Sequence, residues 1–177
     1  QINFLDAGIG RLPTVSTNEA SRIVDKIIDY ATNSAGLGNW RSKVVLVADH
    51  KPEDQNVHIS QANNYTSQIT QAATCIQVDK YFMDNYELVP TASRPSFPEG
   101  RAALLKAFDE GSLLVNYTGH GGETAWSDAS IFTNTDIQRM KNGKRLPAVV
   151  TATCEFGKFD RRGGSQCPAY HRSSGVF

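Results

Sequence analysis

Apolar residues recur every three to four positions in several stretches of the chain, which is the spacing of helices with one buried face. The clearest stretch, residues 20–31, follows a capping box in which Ser16 accepts a first-turn amide and Glu19 reaches back to the Ser16 N–H. Further helices are predicted at 59–73, from Pro98 onward, and at 133–140. The first helix should bury one face, made of Ala20, Ile23, Val24, Ile27, Ile28 and Ala31.

Runs rich in β-branched residues alternate with these helices. Strands are predicted at 43–48, 76–83, 112–118 and 147–153. The first of these is continuously apolar after Lys43, which is typical of a strand buried on both faces in a parallel sheet. Alternating strands and helices predict an α/β fold, a three-layer sandwich with a mostly parallel sheet and helices on both of its faces.

Composition narrows the class of protein. The 177 residues include 18 Lys and Arg against 18 Asp and Glu, so the chain lacks the basic excess of a nucleic-acid binder. The longest purely apolar run, 44–48, is far shorter than the roughly 20 residues of a membrane span, and nothing near Gln1 resembles the charged and then apolar pattern of a signal peptide. We expect a soluble domain, and the missing initiator Met suggests a piece of a longer protein.

The three cysteines do not form a structural motif. Cys75, Cys154 and Cys167 are an odd number and show no C-x-x-C spacing, which argues against a disulfide framework and against a cysteine zinc site. The cysteine count does not determine the cellular compartment.

Residues that could take part in catalysis or binding follow three of the predicted strands. Asp49 and His50 follow the first strand, Gly119, His120, Gly121 and Gly122 follow the third, and Cys154 follows the fourth. Ligands of open α/β sheets bind outside the carboxyl ends of the strands. The sequence therefore predicts that an acid, an imidazole and a thiol meet at one edge.

This combination suits a thiol nucleophile. An imidazole such as His120 can take the proton of a Cys154 thiol and later protonate a leaving amine. The N–H groups of Gly121 and Cys154 can stabilise an oxyanion, and Asp49 can orient the imidazole. The residues alone leave other interpretations open: a core cysteine, a surface histidine and an ordinary turn acid.

Two other kinds of site have weaker support. The glycine-rich turn 119–122 could bind phosphate, but no complete G-x-G-x-x-G or P-loop motif is present. A metal site could draw on scattered residues, but they lack ligand spacing, and we predict neither a metal nor a cofactor. The candidates for such a site are Asp49, His50, His58, His120 and Asp128.

The sequence resembles a known family. The segments 116–126 (NYTGHGGETAW), 146–147 and 152–154 resemble the catalytic core of gingipain-type cysteine peptidases, which have a caspase-like fold. The sequences of residues 8–13 (GIGRLP) and 151–156 (TATCEF) are more similar to the PorU-type branch of the family. Its members resemble gingipains but act as the signal peptidase and sortase of the type IX secretion system. The resemblance covers about residues 4–160.

The resemblance implies roles for individual residues and a class of substrate. His120 would be the general base and acid, Cys154 the nucleophile, the amides of Gly121 and Cys154 the oxyanion hole, and Asp49 the third, acidic member. The substrate would be a polypeptide that forms a thioester with Cys154. In the PorU branch this substrate is a secreted cargo protein that loses its C-terminal sorting domain, and an amine on anionic lipopolysaccharide can resolve the thioester. The implied location is exported, at the bacterial outer membrane, the cell surface or the periplasm.

Two departures from the family pattern qualify these implications. His58 stands where arginine-specific gingipains carry the acid that pairs with a substrate guanidinium, so such specificity is not expected; Glu123 and Trp126 are further candidates for the substrate pocket. Residues 161–177 look unrelated to the family and are predicted to be irregular or disordered, leaving 1–160 as a partial catalytic subdomain, incomplete at its C-terminus. The alternative function is a catalytically silent domain that acts only as a binding or structural remnant.

Overall fold

A computed structural model describes residues 10, 12–92 and 94–157. The predicted tail 161–177, and with it the boundary at residue 160, lies outside the described residues. Within the described ranges, no helix combines the length and the apolar character needed to cross a bilayer. The helices and strands, in chain order, are α1 (Thr17–Thr32), β1 (Lys43–Ala48), α2 (Val57–Ala72), β2 (Gln77–Phe82), α3 (Pro98–Glu110), β3 (Leu114–Thr118), β4 (Gly121–Gly122), β5 (Ala125–Trp126), β6 (Phe132–Thr133), α4 (Asn134–Arg139) and β7 (Ala148–Ala152).

The main sheet has four strands in the order β2-β1-β3-β7, and every neighbouring pair is parallel. Each predicted strand forms, with ends that differ from the prediction by no more than two residues. Because all four strands run the same way, their carboxyl ends lie at one edge of the sheet. This arrangement confirms the predicted α/β fold with a parallel sheet.

The two faces of the sheet are covered by different helices. Strand β1 is buried along its apolar length, and its side chains alternate between the faces, as the pleat requires. On one face Val44, Leu46 and Ala48 pack with Ala62 of α2. On the other face Val45 and Val47 join a larger core that includes Leu104 and Phe108 of α3. The molecule is thus the three-layer sandwich that the sequence predicts.

A small antiparallel sheet, β4-β5-β6, follows directly on β3. Its central residue, Trp126, has no exposed surface. The Trp126 ring stacks on Tyr117 with centroids 4.3 Å apart and planes 4° apart, and lies 4.6 Å from the ring of Phe132. This aromatic stack joins the small sheet to β3 and so supports the loop at residues 119–120 that connects them.

Helix α1 departs from the prediction in two ways. Ser16 does cap it by accepting the Glu19 N–H at 3.2 Å, but the Glu19 carboxylate accepts the Val15 N–H at 2.8 Å rather than that of Ser16. Of the predicted apolar stripe, Ile23 is buried. The other large residues are about half exposed within the described part of the chain, with Val24 at 48%, Ile27 at 48% and Ile28 at 54%.

Candidate active site

Adjacent strands deliver the predicted histidine and cysteine to the same edge of the sheet. Thr118, the last residue of β3, pairs with Ala152, the last residue of β7. The ladder continues one step beyond the strands, because the Gly119 N–H donates to the Ala152 carbonyl at 3.3 Å. His120 and Cys154 each come two residues after this last pair. The register therefore brings the two segments out of the sheet side by side.

Contacts on both sides of Cys154 fix its segment beside the histidine loop. Before it, Thr153 approaches Gly121 so closely that a side chain at 121 would overlap the Thr153 Oγ1. After it, Phe156 returns to the core, where its ring lies 5.8 Å from that of Trp126. Cys154 itself is exposed and is not in a disulfide. A thiol at this point is open to a bound substrate.

The main chain of His120 is held by groups from three parts of the chain. Its N–H donates to the Asp49 carboxylate at 3.3 Å. Its carbonyl accepts the Tyr117 hydroxyl at 2.5 Å and the Ser127 N–H at 2.8 Å. Asp49 and Tyr117 are 3% and 0% exposed, so these partners are themselves fixed by burial. The imidazole is thus presented from a preorganised backbone.

The ring of His120 has a carboxylate partner that the sequence analysis did not identify. His120 Nε2 lies 2.6 Å from Asp54 Oδ2. This hydrogen bond lowers the pKa of the Asp54 carboxyl, and a carboxylate can only accept. The proton of the neutral imidazole therefore resides on Nε2, and Nδ1 keeps the lone pair that a general base needs.

Asp49 has a different place from the one predicted. It was expected to orient the imidazole, but its carboxylate accepts the main-chain N–H groups of His50, at 2.8 Å, and His120. Burial raises the pKa of the Asp49 carboxyl, although these hydrogen bonds oppose the effect. Asp49 is therefore a positioning residue for the main chain of the loop that carries His120, and Asp54 is the acid that contacts the His120 ring.

Asp54 escaped prediction because it lies on a turn rather than at a strand end. It closes the short 3₁₀ helix Pro52–Asp54 that precedes α2. Its distance of 66 residues from His120 in sequence leaves no local spacing that connects them. The only sequence signal is an acid in a turn downstream of β1, and several acids meet that description.

His58 lies against the same pair. Its ring and that of His120 are 5.3 Å apart at an angle of 85°, and its Nε2 is 3.3 Å from Asp54 Oδ2. Neither ring nitrogen of His58 makes a hydrogen bond of acceptable geometry within the described residues, although both are buried. Asp54, His58 and His120 bring three potential metal-ligand atoms within 4.8 Å of one another.

The other candidate residues have separate locations. Trp126 is buried in the aromatic core, so the expectation that it lines a substrate pocket is wrong. Glu123 is half-buried in the turn between β4 and β5, next to the histidine loop. His50 pairs with Asp84, and the Asp128 side chain is 95% exposed near Lys51. Of the scattered metal candidates, the structure brings only His58 and His120 into one cluster.

Comparisons with known proteins agree with this architecture. The model of peptidase family C25 matches residues 2–171, a range that passes residue 160. Gingipain R2 of Porphyromonas gingivalis is 27% identical over 161 residues, which are 89% of this chain and 20% of the relative. Lys-gingipain HG66 of the same organism is 24% identical over 85% of this chain and 8% of its own length. The chain thus spans a fifth or less of these relatives.

A solved structure shares the fold. The crystal structure of the Arg-specific cysteine proteinase gingipain R superimposes with a TM-score of 0.66 at 25% identity, covering 90% of this chain and 34% of that one. The fold with its parallel sheet therefore recurs in a protein of known class. With the family match over residues 2–171, it follows that this chain belongs to peptidase family C25.

Proposed function

We propose that this chain is a catalytic segment of a cysteine peptidase in which Cys154 is the nucleophile and His120 the general base and acid. The observation that carries the proposal is the parallel pairing of β3 with β7, which ends at Thr118 and Ala152. His120 and Cys154 each follow two residues later and therefore lie at the same edge of the sheet. Membership of peptidase family C25 supports the reaction class.

The ring hydrogen bond determines how the proton moves. Because Asp54 holds the Nε2–H of His120, Nδ1 takes the proton from the Cys154 thiol, and Asp54 stabilises the resulting imidazolium. The thiolate attacks the peptide carbonyl carbon and forms a tetrahedral intermediate. When the C–N bond breaks, Nδ1 returns the proton to the leaving amine, and a thioester remains. Water, activated in the same way, then releases the acid and restores the thiol.

The oxyanion of the tetrahedral intermediate requires two donors. We assign them to the N–H groups of Gly121 and Cys154, because residues 121 and 153 are in close contact and the Cys154 N–H makes no backbone hydrogen bond among the described loops and turns. A donor of this kind typically contributes about 2.7–4 kcal/mol to lowering the barrier.

The substrate class follows from the sequence resemblance. We propose that the substrates are secreted proteins whose C-terminal sorting signals are removed, and that an amine on anionic lipopolysaccharide can replace water in resolving the thioester. The enzyme would then act after export, at the outer membrane or cell surface. His58 in the place of an acid disfavours an arginine side chain before the scissile bond, and Glu123 remains a candidate pocket residue.

Selective alkylation tests the catalytic pair on the chain itself. Iodoacetamide at pH 6 should modify Cys154 faster than Cys75, which is also exposed but precedes strand β2, at the opposite edge of the parallel sheet from His120. Mass spectrometry would quantify both peptides. His120→Ala should slow the reaction at Cys154 and leave that at Cys75 unchanged.

Two results would contradict the proposal. Equal rates at the two cysteines, or an unchanged Cys154 rate in His120→Ala, would favour the alternative of a catalytically silent domain. Cleavage of peptides that carry a sorting signal, with Cys154→Ala as the control, tests the proposed substrate class separately.

A further inference from the structure

The cluster of Asp54, His58 and His120 has the composition of a transition-metal site. Two imidazole nitrogens and one carboxylate oxygen are the donors that Zn²⁺ prefers, whereas Ca²⁺ and Mg²⁺ favour sites made of oxygen alone. The three ligand atoms already lie within 4.8 Å of one another. His58 and Asp54 are four residues apart across the start of α2, so this part of the cluster is fixed locally.

Two of the three distances between ligand atoms require little adjustment, and the third, between His58 and His120, is within 4.8 Å. Zinc holds nitrogen and oxygen ligands at about 2.0–2.2 Å, so two ligands of a tetrahedral ion lie about 3.4 Å apart. His58 Nε2 is already 3.3 Å from Asp54 Oδ2. His120 Nε2, at 2.6 Å from the same oxygen, would have to move by less than about 1 Å.

His58 supports a ligand role independently. Both of its ring nitrogens are buried and make no hydrogen bond of acceptable geometry in the described part of the chain. Buried polar atoms without partners are uncommon, because each one loses its hydration without compensation. His58 Nε2 does lie 3.3 Å from Asp54 Oδ2, and a metal ion between these two atoms would bind both. The His120 side chain is 38% exposed, so an ion can reach the cluster from solvent.

We propose that Asp54, His58 and His120 form an inhibitory zinc site that switches off the base of the catalytic pair. The inhibitory half of this inference rests on the proposed function. A neutral imidazole that binds a metal through Nε2 must carry its proton on Nδ1. Nδ1 is the atom proposed to accept the Cys154 proton, so zinc binding removes the base by changing the tautomer. Zinc binding would thus inactivate the catalytic pair, and a chelator that removes the zinc would restore it.

Binding is tested first, with metal ions alone and the complete 177-residue chain. Titration with Co²⁺ should produce visible absorption bands of a four-coordinate ion, and Zn²⁺ should displace the Co²⁺ while Ca²⁺ should not. His58→Gln should weaken binding by more than about tenfold, since loss of even an outer partner of a ligand costs roughly 10–100-fold. Asp54→Asn provides a second variant, and circular dichroism checks that each variant folds.

A matched control distinguishes this site from other metal ligands. His50→Gln removes the histidine of another His–Asp pair, that with Asp84, and should leave zinc affinity unchanged. Cys154→Ser should still bind zinc. Affinity that depends on His50 or on Cys154, or that survives in both His58→Gln and Asp54→Asn, would overturn the proposal.

The mechanism of inhibition has its own readouts. Nitrogen-15 spectra of the histidine rings should show the His120 proton on Nε2 without metal and on Nδ1 with zinc. Zinc should slow alkylation of Cys154 in the wild-type chain, a chelator should restore it, and the same zinc concentration should have little effect in His58→Gln. Zinc that binds without changing the tautomer or the alkylation rate would refute inhibition. Failure of the proposed function would appear separately, in the metal-free comparison of wild type with His120→Ala.

Discussion

The close approach of Gly121 to Thr153 allows a test of the arrangement that brings Cys154 beside His120. In Gly121→Ala, the new methyl group would overlap the Thr153 Oγ1 and would lie 3.2 Å from the Thr153 Cγ2. Carbon atoms pack best at about 3.5–4.0 Å, so Thr153 or the backbone must move. Overpacking of this kind costs typically about 1–3 kcal/mol in the free energy of unfolding.

Removing the opposing side chain should restore most of that stability. Thr153→Ala deletes both overlapping atoms and leaves the Ala125 carbonyl oxygen, at 3.3 Å, as the closest remaining contact. The cost of Thr153→Ala alone should be small, because Thr153 Oγ1 is buried without a hydrogen-bond partner among the described residues. The double variant should therefore be more stable than the sum of the single effects predicts, by about 1–2 kcal/mol.

Urea unfolding of the four proteins measures this coupling. Gly122→Ala is the matched control, because a side chain at 122 would meet no atom within 4 Å, and its effect should stay within about 0.5 kcal/mol. If the effects of Gly121→Ala and Thr153→Ala add to within about 0.3–0.5 kcal/mol, the two segments are not in contact. The placement of Cys154 beside the histidine loop would then be wrong.

Further predictions concern the two acids. Asp49→Ala leaves the amides of His50 and His120 without their acceptor in a buried position, and should lower the free energy of unfolding by about 1–3 kcal/mol in urea titrations. Asp54→Asn removes the charge beside the His120 ring, and should slow iodoacetamide labelling of Cys154 at pH 6 by about tenfold, a part of the roughly 100- to 10,000-fold that positioned acid–base groups supply. Because the pKa of Asp54 is lowered in the folded state, its carboxylate stabilises the fold above about pH 4. This contribution is lost as the pH falls through the folded-state pKa. The free energy of unfolding of the wild type should therefore fall more steeply below about pH 4 than that of Asp54→Asn. Equal slopes in acid unfolding curves would contradict this last prediction.

The fold was predictable because its strands carry strong local signals. The run from Val44 to Ala48 is short, rich in β-branched residues and apolar at every position, which is typical of a strand covered on both faces. Once the sheet is parallel, the residues after its strands must share an edge, so the neighbourhood of His120 and Cys154 follows from topology and not from spacing. The segments β4, β5 and β6 were missed because two residues are too few to show a period.

The identity of the acid at the imidazole could not be predicted in the same way. Asp49 follows a strand directly, but there its carboxylate meets main-chain amides. Asp54 reaches the ring because the chain turns through Pro52–Asp54 before α2 begins, and no local pattern specifies how far such a turn projects. Trp126 was misplaced for a related reason, since a large aromatic residue beside glycines suits a pocket wall and a core equally well.

The two reacting residues stand on strands with different numbers of neighbours. His120 follows β3, which is paired on both sides, whereas Cys154 follows β7, which has one partner within the described sheet and a half-exposed Val150. Strands at an edge open locally at lower free energy than central ones. Amide hydrogens of β7 should therefore exchange with solvent before those of β3. In the described part of the chain, the imidazole thus stands after the more constrained strand and the thiol after the less constrained one.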